Sequence, residues 1–275
     1  MPAALTIAGS DSGGGAGVQC DLLTFAAHGV HGLSAVTAVT AQNTHEIPRT
    51  HPLPPDIVAA QITTVAADFP IAAVKTGMLA NGSIVAVVCE RLAALAIPPV
   101  VDPVLVATSG RPLLDESGFR LLKARLLPLA AVVTPNRMEA ARLSGAKVTS
   151  LAGAREAARR IRDLGAAAVI VTGGHLGGTD TVVDVLDDGT GAVEIATGRV
   201  GGLAGSRTHG TGCTFSAALT AGLATGLALP AAAEDAQRYV AAAIRQAYRF
   251  GRGGSVPGHG PPVAASGGEP SRRAD

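Results

Sequence analysis

Short apolar runs recur along this 275-residue chain, each closed by a turn and followed by a stretch with helical spacing, and few architectures accept that alternation. The runs are Leu5–Ala8, Ser34–Val39, Ala72–Val74, Pro99–Val101, Ala130–Val133 and Ala167–Val171. Most lack polar alternation, the mark of strands covered on both faces. Between them lie the helical stretches Val18–Ala27, Asp56–Ala67, Ser83–Leu95, Ser117–Leu126, Arg137–Ser144 and Leu151–Leu164. This order predicts an α/β fold with three αβα layers, a mainly parallel central sheet flanked by helices. Ligands of such sheets bind beyond the carboxyl ends of the strands, so the loops after the apolar runs are where chemistry is expected.

The texture changes after residue 180. Val182–Leu186 and Ala192–Ala196 flank Asp187–Gly191 and read as a hairpin on the sheet edge. Two long helices, about Thr211–Gly226 and Pro230–Phe250, then close the fold. The charge-free stretch Gly210–Ala233 imitates a membrane span. Gly, Thr, Ser and Ala dominate it, however, and Pro230 interrupts it, so a buried core helix is expected. From Gly251 onward the chain is rich in Gly, Pro and Ser, with little to bury. One domain over residues 1–255 and a disordered tail over 256–275 are expected.

Composition removes several function classes. At 47% hydrophobic and 16% charged, the chain has a core to bury. A net charge of +1 and only three lysines leave no basic stripe, and seven scattered aromatics build no base-stacking platform. No nucleic acid partner is expected. Cys20, Cys89 and Cys213 show no CxxC spacing, which argues against a disulfide framework or a zinc site and for a reducing compartment. The first residues carry no cationic leader, and Asp11 follows early, so neither a signal nor a transit peptide is expected. A cytoplasmic location without membrane contact is the expectation.

The sharpest motif is Thr208–Thr214, a Thr-His-Gly-Thr-Gly-Cys-Thr turn running into an apolar helix. Consecutive N–H groups and the positive end of a helix dipole suit an anionic phosphoryl oxygen, and a thiol in the first helical turn is expected to ionise more easily. The structural alternative is a glycine turn entering a core helix with an inert cysteine. A second cluster, Gly9–Gly17, follows the first strand but completes neither G-x-G-x-x-G nor Walker A. It is either a ligand-wrapping loop, with Asp21 one turn into the helix as a polar anchor, or a tight strand–helix connection. Asp102, Asn136 and Glu139 follow two further strands and bring oxygen ligands to the same sheet edge, where Mg²⁺ on nucleotide phosphates needs only one or two carboxylates. Asn136 and Glu139 also have the spacing of a helix capping box. Thr172–His175 ends another strand and offers further backbone donors for phosphate.

Seven motifs in order, Ala8–Asp21, Val39–Thr44, Lys75–Leu79, Val101–Val104, Thr134–Ala140, Gly173–Leu176 and Thr208–Thr214, together resemble the hydroxymethylpyrimidine/phosphomethylpyrimidine kinases of the ribokinase-like superfamily. The resemblance spans roughly residues 3–255. It implies ATP-dependent phosphorylation of 4-amino-5-hydroxymethyl-2-methylpyrimidine and then of its monophosphate, in thiamine biosynthesis. By matching positions, Gly9, Ala16, Asp21, Gln42, Met78 and Val104 would surround the pyrimidine, with the Gln42 amide supplying both a donor and an acceptor to its edge. Gly210, Thr211, Gly212 and Cys213 would form the anion hole, with Cys213 as catalytic base. Asn136, Thr172, Gly174 and Thr208 would bind ATP, and Asp102 and Glu139 would hold Mg²⁺. A homodimer is implied by the same resemblance. Thr172 stands where many members carry Lys, and Gly201–Ser206 is glycine-rich where a more polar segment is usual. Two other functions fit the same motifs: a pyridoxal/pyridoxine kinase, and a catalytically idle sensor that binds the pyrimidine.

Overall fold

A computed structural model describes residues 1–107, 110–174, 180–200, 208–249 and 251–260. Its sheet holds nine strands among the described residues, in the order β3-β2-β1-β4-β5-β6-β7-β8-β9. Strands β1 (Ala3–Asp11), β2 (His31–Ala41), β4 (Ile71–Thr76), β5 (Val100–Val101), β6 (Val132–Val133) and β7 (Val169–Val171) run parallel. Both edges are antiparallel: β3 (Arg49–Pro52) pairs with β2, and the hairpin β8 (Thr181–Asp187) and β9 (Ala192–Gly198) follows β7. The order reverses on either side of β1, which makes a topological switch point.

The unbroken apolar runs are explained by two cores. Because successive side chains of a strand point to opposite faces, Val101, Val133, Val169 and Val171 join one core, while Val100, Val132 and Ile170 join the other. The first core is covered by α2 (Pro55–Asp68), α3 (Gly82–Leu95), α5 (Arg137–Ser144) and α6 (Leu151–Arg162). The opposite face is covered by α1 (Gly17–Ala27), α7 (Thr211–Ala224) and α8 (Leu229–Arg245). Helix α7 is buried along most of its length, and among the described residues no helix is long and apolar enough to cross a membrane.

Three expectations change. The helix expected over Ser117–Leu126 is α4 (Glu116–Leu121), continued by a π-turn at Leu122–Leu126 and a 3-10 turn at Leu127–Leu129, where Pro128 has no N–H to continue the ladder. The last helix stops at Arg245, short of Phe250, which lies outside the described residues. Residues 256–260, expected in a disordered tail, instead pack back onto the fold together with 251–255, with Ser255 fully buried and Val256 nearly so. Their glycines serve close approach, since a Cβ at Gly253 would collide with the Thr44 carbonyl and one at Gly258 would meet the Gln246 carbonyl at 2.6 Å. Residues 261–275 lie outside the described residues.

Candidate active site

All six parallel strands end on one edge of the sheet, and there a cavity of about 770 Å³ opens. The catalytic positions expected from the sequence, Gly210 to Cys213, line it, as do the ATP positions Asn136, Thr172, Gly174 and Thr208 and the carboxylates Asp102 and Glu139. Gly9, Ala16, Gln42, Met78 and Val104 line it too. Asp21 does not.

The glycine loop after β1 is folded by Asp11, whose buried carboxylate accepts from the amides of Gly13 at 2.8 Å and Ala16 at 3.0 Å. Gly17 adopts φ +60°, and a Cβ there would strike the Gly9 carbonyl. Gly9 itself sits at an irregularity in the β1–β2 register, against the Met78 sulfur. Across the cavity mouth, the Gln42 Nε2 lies 2.9 Å from His209 Nε2, while its Oε1 accepts from Thr40 Oγ1 at 3.1 Å. His209 Nε2 is also 3.6 Å from the Asp11 carboxylate. These contacts join the first glycine loop, the loop after β2 and the turn before α7.

That turn has the shape its sequence suggests. Gly210 is the N-cap of α7 in the left-handed region, with φ 85°, and a Cβ there would collide with the Gly15 carbonyl. No side chain caps the helix, so the first-turn amides remain available to an anion. A Cβ at Gly212 or Gly174 would meet only open space, which leaves room for a ligand at both. Gly173 is different: it packs against the Val183 carbonyl, and its amide donates to the buried Asp184 at 2.6 Å. His175 and Leu176 of the same motif, and the segment Gly201–Ser206, lie outside the described residues.

Two expectations about individual side chains give way. Asp21 is fully buried and turned inward, accepting from Lys75 Nζ at 2.7 and 2.8 Å and from Thr6 Oγ1 at 2.6 Å. It anchors the lysine and does not line the cavity. The Cys213 thiol, expected to ionise easily, is instead held well above its ordinary value. Desolvation is the largest cause, Asp102 and Asp21 add to it, and Lys75 opposes it. The helix terminus does not outweigh burial.

Asp102 and Glu139 form an acidic pair that lacks sufficient counter-charge. Asp102 accepts from Ser216 Oγ at 2.9 Å, yet burial raises its pKa despite Lys75. Glu139 completes the capping box of α5, accepting from the Asn136 amide at 3.0 Å, and is pushed up to about 8 by burial and then by Asp102. Immediately after β6, Thr134 lines the same cavity, and its buried hydroxyl has no hydrogen-bond partner among the described residues. Hard oxygen donors, two raised carboxylates and an unsatisfied hydroxyl fit a hydrated Mg²⁺. The capping geometry of Glu139 is compatible with such a role.

Sequence reasoning missed Lys75, Asp11 and His209. Lys75 is one of three lysines and interrupts an apolar strand, a signal that was available. Asp11 and His209 carry no such mark, because their importance lies in contacts between loops far apart in the chain. Val240, Ala241 and Ile244 of α8 add apolar lining to the cavity, along with Gln237. The whole arrangement offers amide donors for a phosphoryl group, a carboxylate pair for its counter-ion and an amide-bearing pocket for a small polar heterocycle.

Comparison with known proteins agrees with this chemistry. A family model described as phosphomethylpyrimidine kinase matches residues 11–259. The chain is 47% identical over 259 residues to the hydroxymethylpyrimidine/phosphomethylpyrimidine kinase of Synechococcus elongatus, covering 94% of this chain and 97% of that protein. It is 46% identical over 258 residues to the thiamine biosynthesis bifunctional protein ThiED of Geobacter sulfurreducens, covering 94% of this chain and 51% of that one. Among solved structures, the pyridoxal kinase of Staphylococcus aureus in complex with AMP-PCP and pyridoxal superposes with a TM-score of 0.85 at 36% identity, covering 94% of each chain.

Proposed function

The chain belongs to the phosphomethylpyrimidine kinase family, and from that premise we propose that it phosphorylates 4-amino-5-hydroxymethyl-2-methylpyrimidine from ATP, and then phosphorylates the monophosphate to the diphosphate, in thiamine biosynthesis. The observation that carries this reading is the shared cavity: the amide turn before α7, the Asp102–Glu139 pair and the Gln42 amide all face one space. Phosphoryl transfer asks mainly for positioning and charge stabilisation, and those are what these groups supply. Gln42 presents a donor and an acceptor to the aminopyrimidine edge, and Met78 and Val104 pack its faces. The amides of Gly210 to Cys213 receive the phosphoryl oxygens.

Cys213 accepts the hydroxyl proton in this reading. A neutral thiol cannot do so, and the nearby Lys75 charge is the group that favours its thiolate. Asn136, Thr172, Gly174 and Thr208 hold the nucleotide, and Asp102 and Glu139 hold Mg²⁺. When bound, that ion neutralises charge on the nucleotide phosphates. Homodimeric assembly and a cytoplasmic location belong to the same proposal.

The likeness to a pyridoxal kinase supports a second reading, in which pyridoxal or pyridoxine is the acceptor. Sequence identity to the Synechococcus elongatus pyrimidine kinase is 47%, against 36% to this pyridoxal kinase. A single panel separates the readings: ATP–Mg²⁺ with the pyrimidine alcohol, its monophosphate or pyridoxine, measured as ADP release. Turnover with the first two supports the proposal. Activity on pyridoxine alone overturns it in favour of the second reading, and no turnover on any acceptor favours an idle sensor.

A further inference from the structure

The segment 251–260 carries little hydrophobic surface, yet it reaches three loops beside the cavity: the first glycine loop, the loop after β2 and the turn before α7. Its centre is Ser255, which is fully buried. The Ser255 carbonyl accepts from the His209 amide at 2.8 Å, and its hydroxyl lies 3.0 Å from that of Thr208. The next residue, Val256, fills the space where a Cβ on Gly15 would stand, 2.8 Å from its Cγ1. On the other side, the amides of Gly253 and Gly254 donate to the Thr44 hydroxyl at 3.0 Å and carbonyl at 3.2 Å. Thr44 is two residues beyond Gln42.

The segment is itself fixed to the end of α8. Tyr248 and Val256 exchange two backbone hydrogen bonds, of 3.2 and 3.1 Å, and the Gly258 amide donates to the Ala243 carbonyl at 3.0 Å. His259 Nδ1 lies 3.3 Å from the Thr24 hydroxyl on α1. Residues 251–260 are not among those lining the cavity, so they act through the loops they bind.

We infer that residues 251–260 form a strap that holds the amide turn before α7 in register with the first glycine loop and the Gln42 loop, and that Ser255 is its positioning residue. The reasoning is mechanical. Gly210 and Gly212 give the turn conformational freedom, a liability where a phosphoryl group must be met by several amides at once. The two Ser255 contacts fix the residues immediately before Gly210, so the turn enters α7 already aligned. This deepens, and rests on, the proposed kinase reading of the site.

Two variants of the full chain test it: Ser255→Ala, which removes the hydroxyl contact, and Gly253→Val, whose side chain would collide with Thr44 and displace the strap. Hydrogen exchange is followed in peptides covering 208–214 and, for comparison, in β1 and α3. Steady-state kinetics are measured beside it. The strap predicts faster exchange confined to 208–214 and the contacting loops. It also predicts a kcat lowered about tenfold or more with the pyrimidine KM within about twofold, since small misplacements of aligned groups carry large rate penalties. Unchanged exchange at 208–214, exchange raised uniformly across the fold, or local loosening with an unaltered kcat would each overturn the inference. If the wild-type chain forms no phosphorylated pyrimidine, the kinase reading fails, while the exchange comparison still decides whether the strap exists.

Discussion

Lys75 and Asp21 are both wholly removed from solvent, with the ammonium bonded to both carboxylate oxygens. Removing one member of such a pair leaves a buried charge unbalanced. Lys75→Met is expected to cost about 3–5 kcal/mol in urea unfolding, and Asp21→Asn in the same chain to restore part of it. A single-variant cost below about 1 kcal/mol would contradict the pairing. The inward position of Asp21 was misread as facing a ligand, although a signal was there, since Val18, Asp21 and Phe25 recur at helical spacing and share the buried face of α1. Cys213 makes a different prediction. Because burial raises its thiol, a base role requires kcat/KM to climb with pH above neutrality as the thiolate forms. Cys213→Ala should lose that climb along with most of the turnover. Near-normal turnover in Cys213→Ala at saturating substrate would remove Cys213 as the base. Its half-buried setting was invisible in the sequence, since a first-turn cysteine reads the same whether the space around it is wet or dry.

At the scale of elements, the turn into α7 depends on Gly210 for two independent reasons, its φ of 85° and its contact with the Gly15 carbonyl. Gly210→Ala is therefore expected to lower kcat by about 100-fold while far-UV circular dichroism stays native. Retention of half the wild-type rate would show that the turn does not need this geometry. The elements most visible in the sequence are those built by burial: the six parallel strands and their helices coincide with the apolar runs to within a few residues. Of those built by backbone pairing, the β8–β9 hairpin was legible from the turn residues between its strands, and β3 was not. Strand β3 is a polar edge of four residues, Arg49–Pro52, whose one strand neighbour among the described residues is β2. The strap is glycine-rich because its neighbours stand too close for side chains, and composition alone reads that as disorder.

For the molecule as a whole, buried carboxylates at the cavity set a pH dependence of stability. Asp184 accepts from Gly173 and Gln237, yet burial pushes it up to about 6 from an ordinary value of 3.8. The folded state thus binds the proton more tightly than the unfolded chain. Its contribution is complete below about pH 4 and is lost as pH rises through about 6, about 3 kcal/mol in all. Relative to Asp184→Asn, the wild-type chain should lose unfolding free energy over that interval and then run parallel. A constant difference from pH 4 to 8 would contradict the shift. The same cavity carries the account's central claim, that one space joins phosphoryl donor and pyrimidine alcohol. Phosphorus-31 NMR of the chain incubated with ATP–Mg²⁺ and 4-amino-5-hydroxymethyl-2-methylpyrimidine tests that claim directly. The account predicts a phosphomonoester resonance followed by the coupled pair of a pyrimidine diphosphate, and ADP formed with no phosphorus attached to the pyrimidine would contradict it.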